Sequence, residues 1–226
     1  MTRHSVILTC FNGSEFIAEA ICSVLDQLGQ NDELIVVDDG SNDDSLSRVQ
    51  LIADERIRIH CRAQNSGIAA ARNDALRLVR GDFVSFIDHD DRWGDARIKD
   101  FEAIVAKNND TDVVHGVVAH FFDDPALDQQ YKLPDMQNAV LSGSVTISKG
   151  LIQKIGFFDE TLTCGDFVDF MARAKIMSDR WIASDQIYLH RRIHGKNYTL
   201  THAKDSSGYL SVVRAHLLRK GARSHE

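Results

Sequence analysis

The chain has 226 residues, 43% of them hydrophobic, with 26 basic and 33 acidic side chains and a formal charge of −7. That much apolar material supports a substantial core and excludes a disordered chain, while the acidic balance excludes nucleic acid as the main partner. Four cysteines, Cys10, Cys22, Cys61 and Cys164, show no C-x-x-C spacing, so neither a zinc site nor a secreted disulfide framework is indicated and a reducing cytoplasm fits.

In chain order, Ser5 to Thr9 reads as a strand that breaks at Cys10-Phe11-Asn12-Gly13. Ser14 is then an N-cap for a helix through Ala18, Ile21, Val24, Leu25 and Leu28, whose spacing gives one apolar face. A second strand, Glu33 to Val37, runs into Asp38-Asp39-Gly40-Ser41, and a helix starting near Asp43 or Asp44 carries Leu46, Val49 and Ile52. Ile57 to His60 reads as a third strand and Ser66 to Val79 as a helix. Repeated β-α units predict an α/β fold with a mainly parallel sheet flanked by helices, whose ligands bind beyond the carboxyl ends of the strands.

A fourth strand, Phe83 to Ile87, ends in Asp88-His89-Asp90-Asp91-Arg92-Trp93. Three carboxylates within four positions repel one another and raise each other's pKa unless a cation or water intervenes. Oxygen ligands at a strand end suit Mg²⁺ or Mn²⁺ carrying a substrate phosphate, and the alternative is a solvated acidic turn. The first two strand ends add Phe11, which can stack on a base, and Asp side chains able to accept the imino N–H of uracil. Asp-Gly-Ser is equally a common turn sequence, and Phe11 can equally cap the core.

Thr9-Cys10-Phe11-Asn12, Val36 to Asp43, Asn65-Ser66-Gly67 with Ala71-Arg72-Asn73, and Phe86 to Trp93 resemble, as an ordered set, the motifs of family-2 inverting glycosyltransferases with the GT-A fold. The resemblance is close over about the first hundred residues. It implies one GT-A domain over 1–226: a nucleotide-sugar-binding half to about 107, an acceptor-side half with a mixed extension from about 108 to 203, and a C-terminal helix over 204–226. It also implies a nucleotide-sugar donor, UDP-linked in the favoured case, held by Thr9, Phe11 and Asp39 with Asp38 beside them. Asn12, Gly67 and His89 lie in the same motifs and count among the donor-binding positions. Asp88 and Asp90 would form the D-x-D metal motif for Mn²⁺ or Mg²⁺, with Asp90 the direct ligand, and Arg72 would face the donor or brace the acidic loop.

Farther on, Asp95 to Ala106 reads as a helix, Val113 to Phe122 as a long strand and Asp123 to Asn138 as an exposed excursion. Val140 to Ile147 reads as a strand interrupted by Ser142-Gly143-Ser144, where Gly143 marks either a bulge or, by the resemblance, a loop lining donor or acceptor. In the family an acidic pair opens the next helix and one of the two is the general base. Here that pair is Asp166-Phe167, so the usual base position holds phenylalanine. Asp166 can serve instead, favoured by the helix N-terminus, or it can be an ordinary first-turn acid. Asp169 matches the family's second acid. After a strand from Trp181 to Leu189, the basic run His190 to Asn197 could neutralise a departing diphosphate, and His194 matches a family histidine on the metal or diphosphate.

Lys204 to Arg219 reads as a terminal helix able to dock on its own domain, a partner or anionic lipid. The run Ser5 to Cys10 is too short for a signal peptide, and no stretch nears the roughly twenty apolar residues that span a bilayer. The expected setting is therefore cytoplasmic, compatible with peripheral contact at the inner membrane face and with a homodimer. The expected acceptor is a carbohydrate or other hydroxyl. Two other readings fit parts of the chain. One is a degenerate transferase kept as a nucleotide-sugar-binding or scaffold subunit. The other is a haloacid-dehalogenase-type phosphatase, although that motif normally opens its fold and here three strands precede it.

Overall fold

The computed structural model describes residues 3–197. Strands β1 (His4–Cys10), β2 (Glu33–Asp38), β3 (Ile57–Cys61) and β4 (Phe83–Asp88) are joined through helices α1 (Ile17–Leu25), α2 (Ser45–Gln50) and α3 (Ile68–Leu78). They pair in parallel in the order β3-β2-β1-β4. The chain runs outward from β1 to β3 and then crosses back to place β4 on the other side of β1. Such a reversal opens a crevice beyond the carboxyl ends of the strands, where open α/β sheets hold ligands.

Next come β5 (Arg92–Trp93), α4 (Arg97–Lys107), β6 (Val113–Phe122), α5 (Pro125–Tyr131), β7 (Met136–Asn138), β8 (Val145–Ser148), α6 (Lys149–Ile155), α7 (Asp166–Met177) and β9 (Trp181–Ile193). They extend the sheet as β4-β8-β6-β9-β5, with β7 on β6. β8 runs antiparallel to both neighbours while β9 is parallel to β6, so this half of the sheet is mixed.

β1 and β2 are buried on both faces, which is why they read as continuous apolar runs. Alternate residues still separate by face. Ile7, Ile35 and Phe86 pack with Leu151 of α6 and Phe170 of α7, whereas Leu8, Val36 and Ile87 pack with Ile21 of α1 and Ile98 of α4.

Three local expectations change. α1 starts at Ile17, not after a Ser14 cap: the Gly13 carbonyl accepts from the amides of Phe16 and Ile17, while the Ser14 amide donates to Asp43 at 3.0 Å. The interrupted strand begins only at Val145, because Ser142–Ser144 close a 3₁₀ turn. The excursion after β6 is exposed but carries α5, whose N-cap Asp124 accepts from the Ala126 amide at 2.9 Å. The terminal helix read from Lys204 to Arg219 lies outside the described residues.

His4 opens β1 in full burial, edge-on to Phe101 at 4.7 Å, and neither ring nitrogen has a hydrogen-bond partner among the described residues. Burial, partly offset by the charge of Asp32, pushes its pKa from 6.5 down to about 4. The folded state therefore binds fewer protons than the unfolded one. This contribution is complete above pH 6.5 and is lost as pH falls through 4, and it is worth on the order of 3 kcal/mol. Replacing His4 with Leu should flatten the decline of melting temperature between pH 7 and pH 4, and an unchanged slope would remove His4 as its cause.

Candidate active site

The loops after β1 and β2 are laced together at the mouth of the crevice. Asn12, in the left-handed region at φ 50°, accepts from the Asn42 amide through Oδ1 and donates its own amide to Ser41 Oγ, both at 2.9 Å. Asn12 thus spends its side chain holding two loops in register. Beside it, Phe11 stays 41% exposed, a free aromatic face at the strand end. Thr9 is buried between its register partners Val37 and Asp88.

The Asp38-Asp39-Gly40 turn needs its glycine. Gly40 has φ 74°, and a Cβ there would lie 2.7 Å from the Gln64 backbone. Asp38 is buried, accepts from the Ser41 amide at 3.2 Å through one oxygen, and has no partner for the other among the described residues. Asp39 accepts from the amides of Ser66 (3.1 Å) and Gly67 (2.9 Å) and pairs with Arg62 at 2.9 Å. Burial raises its pKa despite those donors. Gly67, φ 94°, precedes α3, and nothing within 4 Å would meet a side chain there.

The three carboxylates of the acidic loop are divided among separate partners, which outweigh repulsion at Asp90 but not at Asp91. Asp88 accepts from Arg72 at 3.1 Å on one oxygen and from the Ser142 hydroxyl at 3.0 Å on the other. Asp90 meets His194 Nε2 at 3.0 Å and the Asn197 amide at 3.2 Å. Burial pushes the Asp90 pKa up, but the His194 hydrogen bond and the charges of His89 and His194 outweigh it and leave the pKa below the usual value. Asp91, fully buried, accepts from the Arg192 amide at 2.9 Å, and burial with the charges of Asp90 and Asp88 raises its pKa well above the usual value. The His89 ring lies against Gly13, where a Cβ would fall 2.1 Å from ring carbon Cδ2.

Arg72 joins the two halves of the site. Only 3% exposed, it donates to Asp166 at 2.7 Å as well as to Asp88. Asp166 is the first residue of α7, after Gly165 in the left-handed region, and its Oδ1 has no partner among the described residues. Asp169, 1% exposed, accepts from Arg173 Nε at 2.8 Å. Arg173 in turn donates to the Phe157 carbonyl at 2.8 Å and to that of Ile155, so Asp169 braces α7 against the end of α6 and does not line the crevice.

Gly143 also turns away from the crevice. A side chain there would collide with Leu189 at 2.5 Å, and its carbonyl accepts from Arg97. Its neighbour Ser142 is the residue of that turn that reaches Asp88. Within the basic run, one arginine is committed elsewhere. Arg192, 7% exposed, is spent on the Asp90 carbonyl (3.0 Å), Asp123 (2.7 Å) and Glu19, and so anchors the acidic loop from behind. Sequence reading missed Ser142, Asn197 and Arg97. Arg97 is a fully buried cation whose described partners are carbonyls of Gly143, Tyr188 and Val145, the Thr146 hydroxyl and the faces of Trp93 and Tyr188, and burial draws its pKa down to about 9.

An open sheet with paired acids, an exposed ring and a bridging arginine at its carboxyl edge defines a GT-A-type α/β protein. The chain belongs to glycosyl transferase family 2, whose model matches residues 5–219. It is 36% identical over 105 residues to the UDP-Glc:alpha-D-GlcNAc-diphosphoundecaprenol beta-1,3-glucosyltransferase WfgD of Escherichia coli, covering 46% of this chain and 42% of that protein. Among solved structures, S. aureus TarS 1-349 in complex with UDP superposes with TM-score 0.77 at 21% identity, over 96% of this chain and 64% of that one. The mannosyltransferase PcManGT of Pyrobaculum calidifontis, solved with GDP-Man and Mn²⁺, gives TM-score 0.70 at 17% identity, again over 96% and 64%. The two structures establish the fold, and the chain spans less than two thirds of each of these three proteins.

Proposed function

We propose that this chain transfers a sugar, with inversion, from a UDP-linked donor to an acceptor hydroxyl in glycan or cell-surface polysaccharide synthesis. The observation that carries this reading is Arg72, which links Asp88 on the donor side to Asp166 on the acceptor side while leaving Asp166 Oδ1 open. In a single displacement, Asp166 Oδ1 accepts the acceptor's proton, and the oxygen attacks the anomeric carbon from the face opposite the leaving diphosphate. Phe11, Thr9, Asp38 and Asp39 receive the nucleoside.

Among the described residues, no three His, Cys, Asp or Glu side chains gather closely enough to enclose a metal ion by themselves. Asp90 and His194 nevertheless set a carboxylate oxygen and an imidazole nitrogen 3.0 Å apart. That donor pair fits Mn²⁺ or Mg²⁺ completed by substrate phosphates, and Asp90 and His194 would hold the ion. When bound, the ion neutralises charge on the departing diphosphate. The diphospholipid acceptor named for WfgD would bring such an enzyme to a membrane surface. No helix among the described residues is long and apolar enough to cross one.

Nucleotide preference tests the donor assignment. In Mn²⁺, UDP should raise the melting temperature more than CDP, because cytosine offers a ring-nitrogen acceptor where uracil offers an imino donor to Asp39. Asp39→Asn should narrow the gap, and equal shifts in the parent protein would contradict this role of Asp39. A second reading, nucleotide-sugar binding without turnover, rests on Phe167, which stands at the family's base position and is buried.

A further inference from the structure

Phe167 is only 9% exposed and belongs to the core layer with Phe86, Phe158 and Phe170. Its ring meets Phe86 edge-on at 5.9 Å and lies nearly parallel to Phe158, which stacks on Phe170 at 4.1 Å. A carboxylate at position 167 in this conformation would enter a cluster of rings. What the rings cover is Arg72: its guanidinium carbon lies 5.6 Å from the Phe158 ring centre and 5.7 Å from that of Phe167.

A guanidinium is apolar on its faces and donates along its edges, so an aromatic bed fixes its plane and leaves the edge hydrogen bonds to point outward. The edges of Arg72 reach Asp166 at 2.7 Å and Asp88 at 3.1 Å. The remaining oxygen of Asp88 is held by Ser142, which fixes that end of the bridge independently.

We propose that Phe167 is a positioning residue: its ring, with that of Phe158, holds the Arg72 guanidinium in the plane that fastens Asp166 Oδ2 and presents Oδ1 to the acceptor. The phenylalanine at the family's base position is then part of the device that moves the proton-accepting role one residue toward the N-terminus of α7. This inference rests on the proposed transfer reaction. It goes beyond it in assigning Phe167, a side chain that touches no substrate, a measurable share in the chemical step.

The test uses the intact chain with Mn²⁺ and UDP-glucose, water serving as acceptor, and follows UDP release in single turnover beside donor affinity. Phe167→Leu keeps an apolar side chain but removes the ring face. It should slow UDP release about 10-fold with donor affinity unchanged, in keeping with the range for a desolvated cation–π contact. In the Asp166→Asn background the same substitution should cost nothing further, since Phe167 acts only through Asp166. A merely structural role would lower the rate by the same factor in both backgrounds, and that result, or an unchanged rate in Phe167→Leu, would overturn the proposal. Melting curves identify any variant that does not fold. For such a case, Arg72→Lys supplies the parallel comparison, because an ammonium on a flexible stem has no flat face to lay on the rings and no fixed pair of donor edges to orient two acids. It too should slow release at least 10-fold in the parent and little in the Asp166→Asn background. If the parent binds UDP-glucose but releases no UDP, the kinetic comparison moves to another UDP-sugar and a hydroxyl acceptor, and release from none of them means that the transfer reading itself fails. The bridge is then judged from unfolding free energies alone: Phe167→Leu and Arg72→Lys should be non-additive, and additivity would overturn the inference.

Discussion

Asp166→Asn should slow the chemical step at least about 100-fold, the lower end of what a positioned general base contributes, with donor affinity little changed. Among the acids of the acceptor half, Asp166 combines near-burial, a fixed orientation and an open oxygen. An asparagine can keep the hydrogen bond from Arg72 but cannot take up a proton. The internal control is Asp169. Its carboxylate grips Arg173, which staples α7 to the end of α6, so Asp169→Asn should lower the melting temperature and leave the single-turnover rate within a few-fold of the parent. Loss of the chemical step in Asp169→Asn, with retention in Asp166→Asn, would move the base one turn along the helix.

Asp90→Asn should abolish the Mn²⁺-dependent part of UDP binding. The substitution removes the carboxylate paired with His194 and leaves a neutral amide, which is a poor ligand for a hard divalent ion. Because Asp90 also accepts from Asn197, and because its pKa is held low by its neighbours, the variant should be less stable than the parent despite losing its repulsion of Asp91. Titration calorimetry with and without Mn²⁺ reads the effect. Undiminished metal-dependent affinity would take Asp90 out of the metal site. Asp91→Asn serves as contrast: Asp91 is buried behind the loop on the Arg192 amide, so its loss should alter stability more than metal-dependent affinity.

Much of the fold was legible because β1, β2 and β4 are short apolar runs ended by Asp, Asn and Gly, and because β-α alternation implies parallel pairing. Thr9 and Asp88 both stand at strand ends, so their shared edge of the sheet could be placed from sequence, while their pairing in register is a feature of the structure. The links between the halves could not. Arg72 and Asp166 are 94 residues apart, and nothing local in either helix indicates that they meet. Arg97 offered less still: its hydrogen bonds go mainly to backbone carbonyls, which carry no side-chain signature, and in the helical pattern it looks like an exposed cation. The acidic loop was legible in part. Repulsion among its three carboxylates raises the pKa of Asp91 as expected, but the partners that separate them, Arg72 for Asp88, His194 for Asp90 and the Arg192 amide for Asp91, come from distant segments. Gly143 drew attention to a turn whose reach into the site belongs to Ser142.

The most direct test of transferase function is release of UDP from a panel of UDP-sugars by the purified chain in Mn²⁺, followed with and without a hydroxyl acceptor. Metal-dependent UDP release from at least one sugar, accelerated by acceptor and lost in Asp166→Asn, is the expected result. Tight metal-dependent binding of the same sugars with no release under any acceptor condition would contradict it and leave a nucleotide-sugar-binding protein in its place.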